Sequence, residues 1–538
     1  MEGKITGIAG PTVTLAMPGL KMYDRVLVGR ARLFGEVIRL GPEGAVAQVY
    51  ESTRGLGLGE PAVSLGRPLT ASLGPGLLGA IYDGLQRPLP EVPEATGPFI
   101  VPGSQWPALD QKRSWHFVPA KKTGDKVAQG ESYGHVEEDG VRHLLFADRA
   151  GEIAEIACGA VTLAEPLAKL TGGATLSALA EWPIRTPRPW RRKFSPTTPL
   201  VTGQRVIDFL FPLARGGTAI LPGGFGTGKT VLEQAIAKFA EVDIVVYVGC
   251  GERGNEMAEM LEEFGSLADP WTGRTLMRRT IMVANTSNMP VAAREASIYT
   301  AVTMAEYYRD QGYHVLLLAD SISRWAEALR EISAALEEMP GEEGYPTYLA
   351  SRLASFFARA GVVESMGGRI GSLSMILSVS PPGGDLTEPT TQACLRAAGA
   401  FLMLDTALAH RRHFPAIDWF QSFSLYDQEM TRHFGKEVDP AWPALKRQMQ
   451  ALLQREEKLR EVAEIVGAEG LQDLDRLVMH TASRLRREFL CQNTFAADAF
   501  FTPQLTLERA ALLLGRHTEA EERLARGDFL ADILRETA

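Results

Sequence analysis

Leu221-Pro222-Gly223-Gly224-Phe225-Gly226-Thr227-Gly228-Lys229-Thr230 is the stretch on which the fold turns. It satisfies G-x-x-x-x-G-K-[ST], which makes a phosphate-binding loop when a strand precedes it and a helix follows. Thr218-Ala219-Ile220-Leu221 is short and apolar enough for a buried strand. Val231 to Phe239 has helical spacing and good helix formers. In that context glycines let successive backbone N–H groups turn inward around phosphate oxygens, and the new helix offers them its positive end. Lys229 would reach the β- and γ-phosphates, and the Thr230 hydroxyl would bind Mg²⁺.

Outward from the loop, strands and helices alternate between about 200 and 425. Asp243–Gly249, Thr280–Ala284 and His314–Asp320 are nearly continuous apolar runs, as expected of parallel strands buried on both faces. Pro290–Asp310 and Trp325–Leu336 have the length and spacing of helices between them. The reading is a doubly wound, RecA-like parallel-sheet α/β domain, whose ligands sit at the carboxyl ends of strands. Two such ends carry charge. Asp320 can hold Mg²⁺ through a water opposite Thr230, although a strand-end Asp can also cap the next helix. In Gly249-Cys250-Gly251-Glu252-Arg253-Gly254-Asn255-Glu256, Glu252 can orient the water attacking a γ-phosphate and Arg253 can stabilise the transferring oxygens. The plain alternative is a local ion pair closing a glycine turn.

Length and composition bound the rest. A chain of 538 residues suggests three or four domains. With 45% hydrophobic and 22% charged residues it reads as an ordinary soluble protein. No apolar run approaches the ~18–20 residues of a membrane span, and no signal peptide is read at the start, so the expected place is the cytosol or a membrane periphery reached through partners. The net charge of −9 argues against a nucleic-acid groove along the whole chain. Cys158, Cys250, Cys394 and Cys491 are far apart and read as reduced thiols. The near pair His410 and His413 is not read as a metal site.

Residues 1–68 read as a small closed β-barrel, with runs such as Val26–Val28, Gly35–Leu40 and Ala45–Tyr50 separated by Gly-Pro turns. After Leu73-Gly74-Pro75-Gly76 a short helical stretch is expected, leading to the Pro-rich Arg87-Pro88-Leu89-Pro90. Residues 105–183 read as an inserted β module, in which Lys122–Glu131 is a turn, a short strand and a second glycine turn. It is somewhat like the turns of biotinyl-carrier domains but lacks their central modifiable lysine motif. A linker dense in proline follows, and its Arg191-Arg192-Lys193 is read as a solvated face. Beyond about 430, Trp442–Arg460, Leu471–Leu490 and Leu505–Leu534 are amphipathic and give a helical C-terminal domain. The division is thus 1–68 barrel, 69–104 with 184–425 nucleotide domain, 105–183 insertion and 426–538 helical domain.

The runs GFGTGKT (224–230), YVGCGERGNEM (247–257), ANTSNMPVAAREASIYTAVTMAEYYRDQGYHVLLLADSISRWAEALREIS (284–333), EEMPGEEGYPTYLASRLA (337–354) and SPPGGDLTEPTTQ (380–392) resemble the catalytic A subunits of V-type (archaeal and vacuolar) rotary ATPases. The resemblance covers nearly the whole chain, and the insertion is similar to the bulge that separates these subunits from the shorter F-type β subunit. It implies an enzyme that hydrolyses or makes ATP. Its nucleotide contacts would be Gly223 to Val231, with Lys229 and Thr230 on phosphate and Mg²⁺. Glu252 would sit at the attacking water and Arg253 at the γ-phosphate. Asp320 would belong to the Mg²⁺ shell, with Glu256 and Arg324 as supporting polar groups. Phe414, Phe495 and Phe501 would pack around adenine, where stacking suits a flat base.

The resemblance also implies rotary coupling. Three such chains would alternate with three non-catalytic B subunits in an A3B3 ring, each B neighbour giving an arginine in trans. A central shaft, peripheral stalks and a separate membrane sector moving H⁺ or Na⁺ would complete the machine. It would lie on the cytoplasmic side of a membrane, the plasma membrane of a prokaryote, with no nucleic-acid partner. Three departures stand out. Thr227 replaces the cysteine of vacuolar relatives, removing their disulfide switch. Gly224 stands where many relatives have proline or alanine. The resemblance together with the length implies a C-terminus roughly forty residues shorter than in typical prokaryotic relatives. Rival readings are a non-catalytic member of the same ring, a ring-shaped RNA translocase and a secretion ATPase. The intact loop with Lys229 and Glu252 argues against the first, the acidic chain with few barrel aromatics against the second, and the insertion and length against the third.

Overall fold

The protein's structure, a computed structural model, describes residues 1–42, 44–89, 100–493 and 499–536. The chain divides into two compact units. Met1–Ser195, Val242–Pro381 and Asp385–Ala397 form one; Pro196–Glu241, Pro382–Gly384 and Ala398–Ala538 form the other.

The first unit begins with a closed barrel. Its strands are β1 (Glu2–Ala9), β2 (Thr12–Ala16), β3 (Asp24–Val28), β4 (Leu33–Gly41), β5 (Gly44–Val49) and β6 (Pro61–Pro68), in the order β1-β2-β5-β4-β3-β6. Alternate residues point inward, as a two-residue period requires: Val13 and Leu15, Val26 and Val28, and Ala45, Ala47 and Val49 fill the core. Closure leaves no unpaired strand edge.

Thr70–Leu73 then pairs antiparallel with Ala180–Pro183, so the chain leaves for the inserted module and returns to the same place. The module consists of two four-stranded antiparallel sheets. The expected short strand between glycine turns is Lys126–Val127, paired with Gly151 and Glu152. The helical stretch expected after Leu73 does not form. Gly76 and Gly79 adopt φ of +100° and +75°, which a right-handed helix cannot use. The chain turns there and enters the nucleotide-domain sheet as Ile81–Tyr82.

That sheet is parallel in this unit, in the order Ile370–Val379, His314–Asp320, Ile244–Glu252, Thr280–Thr286, Ile81–Tyr82. The expected apolar runs are its central strands, and Val245, Val246, Leu316 and Leu317 have no exposed surface. Gly361–Ser365 and Trp190–Phe194 extend it antiparallel, with the cationic side chains of Arg191, Arg192 and Lys193 on an exposed strand.

The helix Val291–Asp310 is buried along nearly its whole length, charges included. Those charges are tolerable because they are paired. Arg185 donates to Glu295 at 2.7 and 3.0 Å and to Glu36 of the barrel at 2.9 Å. Arg352 adds a third bond to Glu295 at 3.2 Å. Further along, Arg359 grips Glu306, while Arg309 and Arg188 bind Asp310. Burial pushes the Glu295 carboxyl up, but the Arg185 and Arg352 guanidiniums outweigh it and hold it below its ordinary value.

In the second unit, Thr218–Pro222 runs parallel to Ala400–Phe401, with Phe423–Ser424 antiparallel beyond it. The helix Lys229–Phe239 follows the glycine loop. Four helices dominate the C-terminal part: Trp442–Val466, Asp473–Leu485, Pro503–Ala525 and Leu530–Glu536. The third amphipathic stretch is therefore two helices, broken where Gly527 takes φ +97°. Pro503 opens its helix at a position that needs no N–H, and Thr502 caps it by accepting from Leu505 N at 3.3 Å. Trp442 stacks on Phe434 at 4.4 Å between ring centres and meets Phe209 at 5.0 Å.

Candidate active site

The residues singled out from the sequence fall into two groups, one on each unit. On the second unit the strand Thr218–Pro222 delivers Gly223, and Gly228 precedes a helix that starts at Lys229. The Lys229 ammonium donates to the carbonyls of Gly223 and Gly224, both at 2.8 Å, which fixes it at the mouth of the loop. Thr227 is buried and its hydroxyl closes the loop from inside, donating to Gly224 O at 2.9 Å. Phe225 and Gly226 form the loop's outer rim, with Phe225 85% exposed. Thr230 and Val231 lie on the first turn of the helix, partly accessible.

Phe414 belongs to the same neighbourhood. A β-carbon built on Gly228 would lie 3.4 Å from the Phe414 ring. The ring is 40% exposed, so one face is accessible beside the loop. Phe501 lies under the Arg205 guanidinium, 4.2 Å from it. Phe495 falls outside the described residues. His413, next to Phe414, faces Arg486 O at 3.1 Å, and burial pushes its imidazole below the ordinary value.

On the first unit the carboxylates come from strand ends set side by side by register. Gly249 pairs with Asp320 across parallel strands, and Glu252 ends the strand three residues on. Asp320 is buried and accepts from Ser378 Oγ at 2.5 Å, the serine being supplied by the neighbouring strand. The cap position of the following helix is Ser321, one residue later. Arg253 is the N-cap residue of the helix Gly254–Ser266, and its exposed guanidinium approaches Glu256 at 3.6 Å. Arg324 makes two bonds to Glu327, at 2.8 and 2.9 Å, and that carboxylate raises its affinity for the proton.

Gly251 lies near the end of the strand Ile244–Glu252, close against Arg324 and Arg294. It takes φ +74°, and an added β-carbon would come within 2.7 Å of Arg324 Cβ and 3.2 Å of Arg294 Cδ. Only glycine satisfies both demands. Cys250, just before it, is wholly buried, and that burial pushes its thiol up to about 12. It is an inert part of the strand rather than a nucleophile.

Sequence reasoning missed several partners. Ser378 and Arg294 give no local signal, because strand register and helix packing bring them to Asp320 and Gly251. Arg205 and Gln492 give none either. They are separated by hundreds of residues yet share a hydrogen bond.

Family models match four consecutive parts of the chain. They are the ATP synthase alpha/beta family beta-barrel domain over 5–66 and the ATP synthase alpha/beta subunit barrel-sandwich domain over 106–185. The ATP synthase alpha/beta family nucleotide-binding domain follows over 203–424, then the C-terminal domain of V and A type ATP synthase over 432–532. The chain is 53% identical to the V-type ATP synthase alpha chain of Anaeromyxobacter dehalogenans (strain 2CP-C), covering 99% of this chain and 93% of that one. It is 49% identical to the A subunit of the A-type ATP synthase of Methanopyrus kandleri, covering 99% and 92%. Among solved structures it is similar to the assembled ATPase EscN from the enteropathogenic E. coli type III secretion system. The TM-score is 0.69 at 22% identity, over 95% of this chain and 100% of that one, a likeness of fold alone.

Proposed function

Because the chain belongs to the ATP synthase alpha/beta family, as the A subunit (alpha chain) of the V/A type, we propose a division of labour among its residues in ATP hydrolysis and synthesis. It is the catalytic subunit of a multisubunit rotary ATPase. Backbone N–H groups from Gly223 to Val231 and the Lys229 ammonium bind the phosphates. Phe414 and Phe501 pack against adenine. The observation that carries this reading is local to one unit: a β-carbon added to the last glycine of the phosphate loop would lie 3.4 Å from the accessible Phe414 ring.

Glu252 orients and polarises the water that attacks the γ-phosphoryl, and Arg253 stabilises charge on the transferring oxygens. Synthesis is the same path reversed. The substrate is Mg-ATP or Mg-ADP with phosphate. The donor chemistry fits its magnesium: Thr230 offers a hydroxyl at the start of the helix, and Asp320 a carboxylate already oriented by Ser378. Glu256 and Arg324 support this group. When bound, the ion would neutralise phosphate charge, while the protein residues position the reactants.

Family membership in a multisubunit enzyme supports a set of partners in this reading. Three copies alternate with three non-catalytic B subunits, each of which provides an arginine in trans. Shaft and stalk subunits link the ring to a membrane sector, and the chain is peripheral on the cytoplasmic side. Among the described residues no helix is long and apolar enough to cross a membrane.

The test is Mg-ATP hydrolysis by the purified chain, alone and then mixed with B subunits, with the complex sized. Little activity alone and a sharp rise in a six-membered alternating ring are expected. Full activity without a B partner, or stimulation by RNA, would sink the rotary assignment.

A further inference from the structure

We propose that Gln492 is the positioning residue of the adenine pocket, acting with Arg205 to hold the pocket's aromatic walls in register with the phosphate loop. The inference rests on the reading of Phe414 and Phe501 as base-packing residues.

Gln492 is 1% exposed, and its side-chain amide is fully used. Nε2 donates to Gly203 O at 2.9 Å and to Ala499 O at 3.0 Å, while Oε1 accepts from Arg205 N at 2.9 Å. The Gln492 backbone N–H donates to Phe414 O at 2.7 Å. One residue thus fastens three separate pieces of chain. Two of them carry the aromatic walls: Phe414 directly, and Phe501 through its N–H donation to Gly203 O at 3.1 Å.

Arg205 completes the arrangement. It donates from Nε to Phe489 O at 2.9 Å and from Nη2 to Cys491 O at 2.6 Å, and its guanidinium lies over the Phe501 ring. Gly203 is held from its other side as well, because its N–H donates to Asp208 at 2.9 Å. A β-carbon on Gly203 would come within 2.6 Å of Phe500, so the clamp point leaves no slack.

The chemistry requires an amide. Two carbonyl oxygens face Nε2 and one N–H faces Oε1, so the hydrogen-bond network fixes the amide's orientation. Glutamate has the same shape but would set an oxygen against both carbonyls. Methionine has nearly the same volume and offers no donor. For packing alone an apolar side chain would serve, and a buried amide is costly unless every bond is made. Its full use at the junction of Phe414 and Phe501 assigns it to the geometry of the pocket.

The test measures Kd of the full chain for Mg-ADP and for Mg-pyrophosphate, which occupies the phosphate loop without a base. Gln492→Glu is expected to weaken Mg-ADP about tenfold or more, since two buried carbonyls lose their donor. Mg-pyrophosphate should bind as in the wild type. Arg205→Lys should give the same pattern more weakly, because it keeps the charge and loses the planar fork. If Gln492→Glu fails to fold, Gln492→Met provides the measurement without a buried charge. Equal loss for both ligands would mark a merely structural residue and overturn the proposal, as would unchanged binding of both. Phe414→Ala separates the base-pocket reading from the positioning role. If it leaves Mg-ADP unaffected, the base-pocket reading fails and the inference with it. If it weakens Mg-ADP while the Gln492 variants do not, only the positioning role fails.

Discussion

Two regions of the molecule hold their buried charge in opposite ways. Around the helix Val291–Asp310, guanidiniums meet carboxylates: Arg185 with Glu295 and Glu36, Arg359 with Glu306, Arg309 and Arg188 with Asp310. Around the nucleotide loop and Gly203, charges meet neutral dipoles instead. Lys229 and Arg205 donate to carbonyls, and Asp208 accepts from Thr202 N, Thr202 Oγ1 and Gly203 N. The difference teaches what each region is built for. Ion pairs lock a frame that presents Glu252 and Asp320 at strand ends. Dipole partners leave a cation satisfied yet exchangeable when phosphate oxygens arrive, because a neutral carbonyl is a weaker partner than an anion.

The comparison can be broken first at the chemistry. Glu252→Gln should lower turnover by about 10²–10⁴-fold, the usual worth of a positioned general base, while Mg-ATP binding survives. Single-turnover hydrolysis and equilibrium binding on the assembled enzyme separate the two. Wild-type turnover would remove Glu252 from the mechanism.

It can be tested next in the frame. Arg185→Met strips Glu36 and Glu295 of their shared cation, and breaking a buried pair from one side costs about 3–5 kcal/mol. A lowered thermal midpoint is expected, with Glu295 also losing its protection against acid. In the wild type its folded value lies below the ordinary 4.5, so the stability it contributes is present above that pH and is lost only on further acidification. A melting curve unchanged from wild type would show that the pair contributes no net stability.

The smallest effect sharpens the contrast by reversing its sign. Burial pushes Asp208 up to about 7, against the three donors that favour its ionised form. A raised carboxyl contributes stability that is full below its unfolded value near 3.8 and declines as pH climbs toward 7. Asp208→Asn should flatten that decline, shifting the difference in melting midpoint between pH 4 and 7 by a few degrees. Identical pH slopes in the two proteins would refute the assignment.

The fold was legible wherever its signal was contiguous. Alternation in Val13, Leu15, Val26 and Val28 announces the barrel, unbroken apolar runs announce the central strands, and Gly223–Thr230 announces a strand, loop and helix. Glu252 and Asp320 were readable as strand-end carboxylates because they terminate such runs. The helix expected near Leu77 was misread because its helix-compatible residues are interrupted by Gly76 and Gly79 in left-handed conformation. The last long helix was misread for the same reason at Gly527. In both places the backbone of glycine outvoted the pattern of its neighbours.

The sequence by itself determined the order of domains, the phosphate loop and the candidate reacting groups, because each depends on residues a few positions apart and on backbone preferences that act locally. Only the tertiary structure decided who holds those groups in place. Ser378 reaches Asp320 through strand register, Arg185 reaches Glu295 across 110 positions of chain, and Gln492 reaches Arg205 across 287. Such partners are chosen by the cost of burying an unpaired polar group, and that cost exists only once the chain has folded around it.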